Sequence, residues 1–327
     1  MKSASTWRLR KFARTTLKRT DQAIMIVGIR PGDWRHGSKN YNAKPMTKRP
    51  TLEKMAQRIA TASLLLLFFL PAKTYAAASD WVTSAGGMIR LVAAQPKADG
   101  TIPAILEVRL KPGWKTYWRD PGASGIPPQI AIDPSSGVVL EAIRFPAPQM
   151  FGEGPARYVG YDTPVAFPLV LKRTRDDGDL AIRASVFLGI CEDICIPVQG
   201  ELDLVLKKGE FDNPLDGARI ADAVAALPQA PSADFKVTAA SFDAEAGAIR
   251  LRLQLPPEAS ADRPDFFLAG PSGVSFGEPV FGAETGAHRT ADIPVKLSGK
   301  DKSIKGKPIA LTVRAGSRSM ETTLAFD

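Results

Sequence analysis

The sequence predicts an all-β protein, with an antiparallel β-sandwich followed by a short helix and a second, smaller sandwich-like β domain. Three observations carry that expectation. Apolar residues alternate with polar ones at period two along many short runs. The chain holds 27 Gly and 27 Pro among its 327 residues, and these cluster with Asp and Ser between the runs, as in Lys111-Pro112-Gly113 and Asp133-Pro134-Ser135-Ser136-Gly137. Only one stretch of the exported part has the apolar spacing of a helix.

In chain order, residues 1–45 are basic and lack hydrophobic periodicity. They read as an over-long N-terminal extension, with Met46 or Met55 the more natural start. Residues 46–78 have the parts of a cleaved signal peptide: basic residues, the apolar run Ile59–Leu70, then Pro71 and the small residues Ala76-Ala77-Ala78. The run is too short to span a bilayer. The mature chain is expected to begin near Ser79 and to be periplasmic. A first domain is placed at 79–230, with strands through Leu106-Val108-Leu110, Leu180–Leu188 and Leu202-Leu204-Leu206. Asn213–Pro228 then reads as an amphipathic helix. Asp212 or Asn213 caps it, Pro214 sits in its first turn, Pro228 stops it, and Ile220, Val224 and Leu227 form its apolar stripe. A second domain is placed at 231–327, with strands through Ile249-Leu251-Leu253-Leu255, Ile293-Val295-Leu297 and Ile309-Leu311-Val313.

The formal charge of +9 belongs to the leader. Residues 1–78 hold 16 Lys plus Arg against three acids, whereas residues 79–327 hold 27 basic and 31 acidic groups. Nucleic-acid binding requires positive charge on the folded body, so it is excluded as an expectation. The exported part has one histidine, His288, and no Ser-His-Asp arrangement around it is evident, so hydrolase chemistry of that type is disfavoured. No glycine-rich phosphate loop stands between a strand and a helix.

The two cysteines, Cys191 and Cys195, are the candidate catalytic residues. Along one extended strand their Cα atoms would lie about 13 Å apart, too far for a disulfide. If Glu192-Asp193-Ile194 forms a turn, the two approach across it. A disulfide closing so short a loop adds little loop entropy, and an accessible pair suits exchange. Three readings stand side by side: redox exchange, a structural disulfide, and capture of a soft metal by two thiolates. The Glu192 and Asp193 carboxylates disfavour thiolate, which predicts a reluctant attacker that waits for a specific partner.

Gly113-Trp114-Lys115-Thr116-Tyr117-Trp118-Arg119-Asp120-Pro121-Gly122-Ala123-Ser124-Gly125, followed by Gly189-Ile190-Cys191-Glu192-Asp193-Ile194-Cys195-Ile196-Pro197, resembles the amino-terminal domain of the DsbD thiol:disulfide interchange proteins. The three-residue cysteine spacing is closer to the ScsB, suppressor-of-copper-sensitivity, branch. The resemblance implies an immunoglobulin-like sandwich over roughly residues 80–230. It also implies that Cys191 and Cys195 pass electrons from a membrane electron-transfer protein, here on a separate chain, to periplasmic thioredoxin-fold proteins. No small-molecule cofactor and no metal is expected. The family shields its disulfide with an aromatic cap, for which Phe151, Tyr158 and Tyr161 are candidates. Trp114, Tyr117 and Trp118 either line the site or simply bury area, with packing the favoured reading, and Arg119-Asp120 reads as a local ion pair. The alternative is a non-enzymatic binding module with a structural disulfide, tied to copper tolerance.

Overall fold

The computed structural model describes residues 77–122, 125–153, 157–176, 178–259, 263–298 and 303–326. The readings of residues 1–45 and of the leader up to residue 76 lie outside these. All the described residues fall within one compact unit, Ala72–Asp327. Among them, no helix is long and apolar enough to cross a membrane.

The first sandwich is built from β1 (Val82–Thr83), β2 (Gly87–Ala93), β3 (Thr101–Leu110), β4 (Lys115–Tyr117), β5 (Gln129–Ile132), β6 (Val138–Ile143), β7 (Gln149–Phe151), β8 (Tyr158–Tyr161), β9 (Val165–Arg173), β10 (Leu180–Cys191) and β11 (Cys195–Leu206). One sheet has the order β1-β2-β3-β9-β6. The other has the order β11-β10-β4-β8-β7, with β5 also pairing to β10, and every ladder is antiparallel. The alternation read from the sequence is realised on β10, where Leu180, Ile182, Ala184, Val186 and Leu188 point into the core and Ala181, Arg183 and Ser185 point out. Ala77 and Ala78, assigned above to the leader, pair with β2: the Ala77 carbonyl accepts the Ala93 N–H at 2.8 Å, and Ala78 bridges to Val92.

The helix α1 (Pro214–Ala225) starts as its sequence requires. Asn213 caps it by accepting the Leu215 N–H, and Pro214 occupies the first turn, where no N–H is needed. Its period was legible and Ile220 is buried as read, but Val224 is not. The buried face is Asp216, Ile220 and Ala223, while Val224, placed in the stripe above, is 52% exposed. The helix lies on the outside of the first sheet against Val92 and Ile105, and that shallow surface covers a single stripe. Asp216 tolerates burial because Arg219 Nη1 donates to it at 2.6 Å.

The second sandwich comprises β12 (Lys236–Asp243), β13 (Ala248–Gln254), β14 (Asp265–Ala269), β15 (Val274–Phe276), β16 (Val280–Thr285), β17 (His288–Leu297), β18 (Ile309–Ala315) and β19 (Arg318–Leu324). Its larger sheet runs β12-β13-β17-β15, with β16 also on β17, and it faces the sheet β14-β18-β19. The enclosed core includes Leu251, Ile293, Leu311 and Met320. The protein is thus mostly β, with antiparallel sheets, one helix among the described residues, and a second β domain after the first. The two cores meet: Phe267 of β14 belongs to the first core and packs edge-on to Trp118, with ring centroids 6.2 Å apart. Arg119 and Asp120 do not pair with each other. Arg119 Nη2 reaches across to Glu321 Oε2 at 2.7 Å, and Asp120 accepts the Gly122 N–H.

Candidate redox site

β10 and β11 pair in register along their whole length, from Leu180 opposite Leu206 to Cys191 opposite Cys195. Glu192-Asp193-Ile194 forms the connecting turn, closed by the Glu192 N–H on the Ile194 carbonyl. The cysteines therefore face each other as the last cross-strand pair, Cα atoms 4.1 Å apart, and are joined as a disulfide. Their surroundings differ. Cys191 is 6% exposed, whereas Cys195 lies in the exposed turn region with Ile194, itself 72% exposed.

Tyr117, favoured from the sequence as packing over lining the site, lies against both cysteines. Its hydroxyl lies 2.9 Å from Cys191 Sγ and 3.0 Å from Cys195 Sγ. Three features of local structure put it there. β4 pairs with β10, setting Lys115 opposite Cys191 and Thr116 opposite Ile190. The buried Thr116 hydroxyl donates to the Gly189 carbonyl at 2.9 Å and fixes that register. The ring itself fits between two glycines, because a Cβ at Gly189 would stand 2.9 Å from Tyr117 Cε2 and one at Gly125 would stand 2.8 Å from Cδ1. Burial, then the neighbouring Tyr158, pushes the phenol above its ordinary value, so it remains a protonated donor at neutral pH.

From Tyr117 an aromatic stack leads away from the sulfurs. Tyr158 meets it edge-on at 5.7 Å, and Phe151 stacks on Tyr158 at 5.3 Å. Two of the three cap candidates, Phe151 and Tyr158, thus stand in line with the disulfide. Tyr161 does not: its hydroxyl donates to the Pro146 carbonyl and its ring packs on Phe167 in the core. Trp118 is fully buried and Trp114 packs against Gly86 and Ile190, both as packing residues. Glu192 extends its carboxylate beside Gly113. His288 is exposed at the start of β17. Among the described residues, no group of three or more His, Cys, Asp or Glu is arranged to hold a metal ion.

The fold and this site define a disulfide-bearing β-sandwich domain, with its cysteine pair at the tip of a hairpin and a phenol over both sulfurs. Residues 90–207, within the first sandwich, match the family described as "Thiol:disulfide interchange protein DsbD, N-terminal". Residues 226–327 match "Domain of unknown function (DUF8393)". The solved N-terminal periplasmic domain of ScsB from Proteus mirabilis is similar at 26% identity and a TM-score of 0.60, over 76% of this chain and 99% of that one. That share is too large for either sandwich alone. No curated protein matches the chain.

Proposed function

We propose that this protein is a periplasmic thiol:disulfide interchange module that passes electrons through Cys191 and Cys195 to thioredoxin-fold partners. The observation that carries the reading is the Tyr117 hydroxyl within 3.0 Å of both sulfurs at an open hairpin tip. A phenol donor there lowers the cost of thiolate, offsetting the Glu192 and Asp193 carboxylates. The family match to DsbD over residues 90–207 supports the same chemistry.

The difference in exposure between Cys191 and Cys195 supports an order of events. In the reduced protein the Cys195 thiolate attacks one sulfur of the partner's disulfide, forming a mixed disulfide and releasing the partner's other sulfur as thiolate. The Cys191 thiolate, shielded from solvent and adjacent to Cys195, then attacks the Cys195 sulfur. This closes the intramolecular disulfide and frees the partner as a dithiol. Two electrons and, after protonation, two protons pass to the partner. A dithiol on a membrane electron-transfer protein returns two electrons to the pair. The leader that ends before Ala77, which pairs with β2 in the folded domain, serves export in this reading, and the division near residue 231 separates the exchanging domain from its companion.

The test is the reduction potential of the pair in the exported chain, set against glutathione or thioredoxin buffers. A value of roughly −180 to −270 mV supports exchange, and one below about −300 mV identifies a structural disulfide. The assignment of roles is checked separately with single Cys→Ser variants. Cys191→Ser should trap the partner as a mixed disulfide, and Cys195→Ser should not.

A further inference from the structure

The domain of unknown function, residues 226–327, grips the first sandwich at a restricted set of places. Phe267 packs on Trp118, the residue after Tyr117. Glu321 holds Arg119, and the same carboxylate oxygen accepts the Thr312 hydroxyl, which anchors it within the second sandwich. The Gly270 N–H supports the Asp120 carboxylate. Arg314 Nη1 donates to the Pro148 carbonyl at 3.3 Å, next to β7, and Glu278 pairs with Arg157, next to β8. Arg157 also contacts Met150 on β7. A cleft of about 480 Å³ separates these contacts, bordered by Asp120, Met150, Tyr158, Phe267, Phe276 and Lys296.

These contacts converge on three segments: 118–122, 148–150 and residue 157. They are the segments that continue from Tyr117 and flank Phe151 and Tyr158, the three rings of the stack that ends on the sulfurs. Tyr158 both lines the cleft and meets Tyr117.

We propose that the second sandwich positions the redox site: by holding 118–122, 148–150 and Arg157 it fixes the Tyr117–Tyr158–Phe151 stack and so seats the Tyr117 hydroxyl on the cysteine sulfurs. Phe267, Glu278, Arg314 and Glu321 are positioning residues in this scheme and touch neither sulfur nor partner. The proposal deepens the exchange reading given above and rests on the same site. Among the described residues, the ionisable groups placed beside the cysteines are Tyr117, within hydrogen-bond distance of both sulfurs, Lys115 opposite Cys191 on β4, and Glu192 and Asp193 in the turn, with Tyr158 on β8 packed against Tyr117. All of them belong to the first sandwich, so a change made in the second reaches the thiols through position.

The experiment uses the full exported chain, reduced, and follows iodoacetamide alkylation across pH. Two variants are compared with wild type: Phe267→Ala, and the rim double variant Glu278→Ala/Arg314→Ala, which leaves both cores intact should Phe267→Ala fail to fold. Displacement of the phenol is expected to move the alkylation profile to higher pH and to slow the reaction at pH 7 by about three- to tenfold, in the direction of Tyr117→Phe. Combined with Tyr117→Phe, the rim variant is expected to add nothing further, since both act through one hydroxyl. Profiles that coincide with wild type for a folded rim variant, while Tyr117→Phe is displaced, overturn the proposal. Failure of the exchange reading is separable: the pair would then resist reduction by thiol buffers in wild type and variants alike, whatever the alkylation profiles show.

Discussion

The hydroxyl of Tyr117 contributes to this site through one bond to either sulfur, and its removal is the most direct probe of the chemistry. Tyr117→Phe keeps the ring between Gly125 and Gly189 and deletes only the donor. A hydrogen bond to a charged group contributes about 1.5 kcal/mol or more, so thiolate-dependent exchange at pH 7 is expected to slow by about tenfold with little change in Tm. Stopped-flow reaction with a thioredoxin-fold disulfide checks the first part and thermal unfolding the second. Gly189→Ala tests the seat itself. The added methyl would stand 2.9 Å from the ring and 3.0 Å from Ile126 Cβ, and an overpacked site of this kind loses about 1 to 3 kcal/mol. That loss is measurable by urea denaturation. From the sequence Tyr117 could not be told apart from a packing residue, because its contact with Cys191 spans 74 residues of sequence and depends on which strand pairs with β10. The cysteines were legible because four residues of spacing and a turn are local facts.

At the level of elements, strands were readable wherever one face was core and the other solvent, as on β10 and β13, since burial enforces period two. The helix was readable in length and caps and Ile220 lies on its buried face as read, yet Ala223 rather than Val224 completes that face. Sequence shows the angular spread of apolar residues without showing which arc a shallow sheet will cover. The consequence is testable: Ile220→Ala should cost about 2 to 4 kcal/mol, whereas Val224→Ala should stay within about 0.5 kcal/mol of wild type, both by chemical denaturation. The β10–β11 hairpin makes the disulfide a small contributor to stability. Twelve cross-strand pairs already hold the strands, and the loop closed is short. The Cys191→Ser/Cys195→Ser variant is therefore expected to lose no more than about 2 kcal/mol and to remain folded by circular dichroism.

Across the whole molecule, the path from the helix into the second sandwich is pinned rather than free. Gln229 exchanges backbone hydrogen bonds with Ser319 and Glu321 of β19, and Arg318 pairs with Asp234 at 2.7 Å. The hydrogen bond from Arg318, then that from Ser232, holds the Asp234 carboxyl well below the usual carboxylate range. Because the folded value is depressed, this contribution is fully present above the unfolded value of about 4 and is lost as pH falls from there through the folded value. Arg318→Met should thus lower Tm at pH 7, and its gap to wild type should narrow as pH is taken below about 4 in a scanning-calorimetry series.

Phe267 lies within the core of the first sandwich although its chain belongs to the second. Transplanted alone into another protein, residues 226–327 would carry that ring into water, and the first sandwich left behind would expose the Trp118 face it covered. Recombination that separates the two halves is therefore penalised on both sides. The pair is built to travel through gene rearrangement as a single cassette, each half a poor donor to any other host.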